Sequence, residues 1–89
     1  MKGLKGKLKE DFEDYASCFD ISGIIPLSMQ FALLCDFLEG RELAVWLECY
    51  ADAYDIHVYG FGEPIDISMP TKQEAIEKAI KYLNENYEH

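Results

Sequence analysis

Leu4, Leu8, Phe12, Tyr15 and Phe19 fall at steps of four and three residues, one stripe of an amphipathic helix. They predict an ordered helix over about residues 7–18. Gly3 and Gly6 weaken any helical start ahead of it, so residues 1–6 read as a short mobile basic arm. The charges run against the helix dipole, with lysines first and acids after. A second helix is predicted over residues 26–39, with Pro26 at its first turn and Gly40 just past its end. Leu27, Phe31, Leu34 and Leu38 make one stripe there, and Met29, Leu33 and Phe37 a second beside it. So broad an apolar surface belongs to a central, heavily buried helix, or to one that also meets another subunit as a homodimer.

Residues 43–54 fit both periods. As a helix, Leu43, Trp46, Leu47, Tyr50 and Tyr54 share a face; as a strand, Leu43, Val45, Leu47, Cys49 and Ala51 alternate against Ala44, Trp46, Glu48, Tyr50 and Asp52. The neighbours decide for a strand over 43–50. Residues 56–61 and 65–69 alternate as well, with Gly62, Glu63 and Pro64 as the turn between them. Three strands with one apolar face hold together where two do not. The last helix, over residues 71–87, opens on the capping box Thr71 and Glu74 and lines Ile76, Ala79, Ile80, Leu83 and Tyr87 on one face. Glu74 with Lys78 and Glu77 with Lys81 are oriented as i,i+4 pairs. The expected fold is a single α+β domain over residues 1–89, ordered α-α-β-β-β-α. In it a three-stranded antiparallel meander turns Val45, Leu47, Cys49, Ile56, Val58, Ile65 and Ile67 toward the second and third helices.

Composition supports a folded chain, with 49% hydrophobic residues and eleven aromatics besides Trp46. Charge changes the picture more. The first nine residues carry +4, whereas residues 10–69 carry −12, Arg41 being their one basic residue against thirteen acids. Such a field attracts basic partners and repels phosphate. Direct nucleic-acid binding, which needs a basic face, is therefore not expected. Acids at residues 10, 11, 13 and 14 interrupt any signal-peptide pattern, and the apolar run 24–35 is too short to span a bilayer. Cys18, Cys35 and Cys49 are odd in number and unpaired in spacing, which suits small buried hydrophobes in a reducing cytoplasm.

The other sheet face would present Trp46, Glu48, Tyr50, His57, Tyr59, Phe61, Asp66 and Ser68. Aromatics among carboxylates suit a protein-binding surface, because Tyr and Trp give large contact area at low entropic cost. The alternative is that the first helix lays Leu8, Phe12, Tyr15 and Phe19 over this face as a second core. The acids, Asp20 and Asp36 among them, have three readings: a solubilising surface, a dock for a basic patch, or imitation of a nucleic-acid backbone.

No metal and no cofactor is expected. The cysteines and His57 lack structural-zinc spacing, and no calcium loop, nucleophile elbow or phosphate-cradling glycine loop occurs. His57 beside Asp55 or Asp66 could pair as acid and base, but a sheet histidine facing water or an interface is the more common arrangement. No catalytic residue is assigned.

The ending, alternating strands followed by Met69-Pro70-Thr71-Lys72-Gln73-Glu74-Ala75-Ile76, resembles the strand-then-T-x-x-E-A-I-helix ending of many small bacterial and phage proteins, HicB-type antitoxin domains among them. The resemblance covers about a third of the chain and rests on a capping box. The expectation is a small acidic protein-binding module, a cytoplasmic regulator or inhibitor docking on a basic surface. Its contacts are Trp46, Glu48, Tyr50, His57, Tyr59, Phe61 and Asp66. The alternatives are a nucleic-acid mimic of the anti-defence kind and an antitoxin-like partner.

Overall fold

The computed structural model describes residues 1, 3–19 and 25–87. Its elements are α1 (Gly6–Ala16), α2 (Leu27–Glu39), β1 (Ala44–Cys49), β2 (Tyr54–Tyr59), β3 (Ile65–Met69) and α3 (Lys72–Asn86). The strands form one antiparallel sheet in the order β1-β2-β3. This is the expected α-α-β-β-β-α order, and residues 43–54 take the strand alternative: they hold β1, the turn after it and the first residue of β2. Lys2, Asp20 and Ile24, which entered the charge, acidic-set and apolar-run readings, lie outside the described residues.

One sheet face makes the core. Val45, Ile56, Val58 and Ile67 are buried against Phe31, Leu34 and Leu38 of α2 and Ala75, Ile76, Ala79, Ile80 and Leu83 of α3. α2 lies on β1, and α3 on β2 and β3. Fully burying a side chain such as Leu34 stabilises by about 1.5–3 kcal/mol, so these apolar rows select the register. Thr71 caps α3, its hydroxyl accepting from the Glu74 backbone N–H at 3.2 Å. The two i,i+4 ion pairs expected on α3 do not form among the described residues; Glu77 accepts from Gln73 instead, at 3.0 Å.

α1 packs on α2 and α3 and not on the strands. Phe12 and Tyr15 place their rings 5.9 and 5.3 Å from that of Phe37 on α2. Phe37 also stacks on Tyr87, just past α3, at 6.4 Å. Polar groups tie the same corner: Asp11 takes Lys7 at 2.8 Å and the Tyr87 hydroxyl at 2.9 Å. Those two hydrogen bonds hold the Asp11 carboxyl below its ordinary range, the Lys7 bond most strongly.

Three expectations are corrected. Of the arm expected over residues 1–6, residues 3–5 are not free: Leu4 is 5% exposed, and Asn84 on α3 clamps its neighbours, donating to the Gly3 carbonyl at 2.8 Å and accepting from the Lys5 N–H at 3.0 Å. The helix therefore starts at Gly6. Cys49 shares the parity of Val45 and Leu47 but is exposed, because burial thins along β1 from Val45 through half-buried Leu47. Cys18 is exposed too, and only Cys35 is half-buried, its thiol pushed up to about 12 by burial. Among the described residues no helix is long and apolar enough to cross a membrane.

Candidate functional site

The residues facing away from the helices form ranks across the sheet. Strand pairing sets Trp46 beside His57 and His57 beside Asp66; Glu48, Asp55 and Ser68 form the next rank, and Ala44 faces Tyr59. Because α1 packs elsewhere, no helix among the described residues covers this face. Trp46 is 39% exposed, Tyr59 41% and Tyr50 51%. Of the two arrangements the sequence allows, the covered face is the one that does not occur.

The side chains interlock. The Trp46 and Tyr59 rings stack 5.2 Å apart and 2° from parallel, and the His57 ring lies 5.1 Å from that of Trp46, tilted by 32°. Glu48 accepts from the Trp46 indole N–H at 3.1 Å and from the Tyr50 hydroxyl. These bonds, Tyr50's foremost, hold the Glu48 carboxyl below its ordinary range, and the same contact pushes the Tyr50 phenol up. His57 Nδ1 lies 2.5 Å from Asp66 Oδ1. That bond, with the fields of Asp66, Glu48 and Asp55 behind it, raises the imidazole above its usual value although burial opposes it. His57 Nε2 is buried and 3.6 Å from Glu48 Oε1, an ion-pair distance but not a hydrogen bond. Asp55 Oδ1 is likewise buried without a hydrogen-bond partner.

Six of the seven expected contact residues are thus brought together: Trp46, Glu48, Tyr50, His57, Tyr59 and Asp66. Phe61 is not among them. β2 ends at Tyr59, and Gly60 at φ +117° breaks the alternation. Phe61 therefore meets the edge of Tyr82 on α3 at 6.0 Å and packs against the core. Asp55 joins the face, and its parity with His57 and Tyr59 was the signal for it; residue 54 belonging to the strand was not legible.

Among the described residues no group of three or more His, Cys, Asp or Glu side chains is arranged to hold a metal ion. What the face offers is a flat, preorganised aromatic surface bearing three carboxylates and one imidazole, a chemistry suited to cations and aromatic contacts. Comparison with protein-family models, curated proteins and solved structures finds no match for this chain.

Proposed function

We propose that this protein is a binding module, a cytoplasmic regulator or inhibitor that docks the open sheet face on a basic surface of a partner protein. The observation that carries this reading is the stacked, exposed pair of Trp46 and Tyr59 held among Glu48, Asp55 and Asp66 on a face that no helix among the described residues covers. Exposed Trp and Tyr with fixed rotamers lose little entropy on binding, which is why such residues anchor interfaces. The carboxylates give the face its choice of partner, since charge complementarity sets specificity and encounter rate. His57 supports contact over catalysis. Its Nδ1 is committed to Asp66 and its Nε2 is buried, so neither nitrogen meets a substrate in this conformation.

The test is affinity capture from the source cell at low and high salt. It compares the parent protein with the double variant Trp46→Ala/Tyr59→Ala and with a charge reversal on α1, Glu10→Lys/Asp14→Lys. One partner retained in high salt, kept by the α1 variant and weakened at least about tenfold by the face variant, is expected. A nucleic-acid-binding protein held only at low salt and released by the α1 reversal overturns the face and selects mimicry of a phosphate backbone.

A further inference from the structure

The edge of β1 is left open in a way the other edge is not. Backbone pairing across the first hairpin identifies its free groups. Tyr50 N–H donates to the Ala53 carbonyl at 2.9 Å, making that pair a hydrogen-bonded one. Alternation along an antiparallel ladder then assigns Glu48 with Asp55, and Trp46 with His57, to the hydrogen-bonded pairs. Val45, Leu47 and Cys49 consequently turn their N–H and C=O groups outward, and among the described residues none of them finds another backbone partner. β1 runs six residues without a proline or a lysine, whereas β3 is five residues between Pro64 and Pro70. Natural edge strands are normally blunted by such devices.

A groove of about 560 Å³ runs along this edge, between β1 and α2. Residues 44–47 all line it, although their side chains alternate between the two sheet faces. No residue of β2 or β3 lines it, so the groove lies on the outer side of β1. Its floor is apolar, with Phe31, Ala32 and Cys35 from α2, and its rim carries Asp36 and Glu39. No basic residue lines it among the described residues. Burial on the inner face falls along β1 from Val45 through Leu47 to Cys49, so cover thins toward the hairpin end of the strand.

We infer that β1 accepts a fourth strand from the partner: an extended segment in which apolar residues alternate with Arg or Lys. Pairing to Val45, Leu47 and Cys49 supplies main-chain hydrogen bonds, and alternate side chains supply the choice of sequence. Inward apolar groups cover Leu47 and Cys35. Basic groups of the other parity reach Glu48 beside Trp46 on the open face, while the field of Asp36 and Glu39 at the rim favours a cationic segment over an acidic one. A second copy of this chain is the wrong occupant by charge, since it would bring its own Asp36, Glu39 and Glu48 to a groove without a cation. The inference rests on the binding-module reading and specifies how the partner is held.

The experiment is backbone amide NMR and hydrogen exchange on the full chain, titrated with a short synthetic peptide alternating valine and arginine. Two controls accompany it: the valine–glutamate counterpart, and the valine–arginine peptide N-methylated along one edge. Saturation with the first should slow exchange at Val45, Leu47 and Cys49 by about tenfold or more, and neither control should. Asp36→Lys/Glu39→Lys, two exposed positions, should weaken binding about tenfold with an unchanged melting temperature. Equal binding of the glutamate peptide, or edge amides that exchange as in the free chain, overturns strand addition. So does edge protection that appears without peptide as the chain dimerises in sedimentation. If the shifts fall on Trp46, His57 and Tyr59 while the edge stays open, only the strand addition fails and the face reading survives.

Discussion

Trp46 and Tyr59 stack diagonally across β1 and β2, for their direct cross-strand partners are His57 and Ala44. Diagonal neighbours on a sheet are about 7–8 Å apart at Cα, within reach of aromatic rings. Trp46 packs against both Tyr59 and His57, so the chain's single tryptophan is an intrinsic optical probe of this face. A face assembled before any partner arrives has less ordering cost to meet on binding.

His57 gives the face a pH dependence whose sign is set by Asp66. The folded-state value is raised above the ordinary 6.5. Its contribution to stability is therefore fully present below the unfolded value and is lost as pH rises through the raised one. In Asp66→Asn, the assigned His57 signals should titrate at lower pH than in the parent protein. The stability difference between the two should be larger near about pH 6 than near about pH 9. A parent midpoint at or below 6.5 by NMR would contradict the ion pair.

Asn84 should matter more than an exposed polar residue ordinarily does. It makes two hydrogen bonds to the backbone flanking Leu4, at 2.8 and 3.0 Å. Asn84→Ala is expected to lower stability by about 1–2 kcal/mol, and Leu4→Ala by about 2–4 kcal/mol. Urea unfolding measures both, and amide exchange at Lys5 should accelerate in each. Neutral variants would restore the free arm.

Gly60 and Gly62 separate strain from collision within one turn. Both have positive φ, +117° and +100°. A Cβ at Gly60 would lie 2.5 Å from Leu43 Cδ2 and 3.3 Å from Leu43 Cα, while one at Gly62 meets nothing within 4 Å. Both alanine variants carry the backbone strain of about 1–3 kcal/mol. Thermal unfolding should show Gly60→Ala as the less stable of the two, and equal melting temperatures would exclude the contact with Leu43.

The order of elements was legible because each apolar period reports a local property: steps of three and four for α1, α2 and α3, alternation for β1 to β3. The capping pair Thr71 and Glu74 marked the start of α3 for the same reason, being a bond within one turn. Six of the expected contact residues followed from parity alone. What lay beyond the sequence was which surfaces meet. The stripe of Leu8 and Phe12 is equally suited to covering a sheet or a pair of helices, and in the fold Phe12 meets Phe37, which in turn stacks on Tyr87. Leu4 looked like part of a loose arm because its clamp, Asn84, is eighty residues away in the chain. Phe61 left the face through a dihedral angle at Gly60, and Cys49 stayed exposed where the inner face runs out of cover. Periodicity tells a chain which side of each element to bury; only packing in three dimensions decides what buries it, and hence which side is left for a partner.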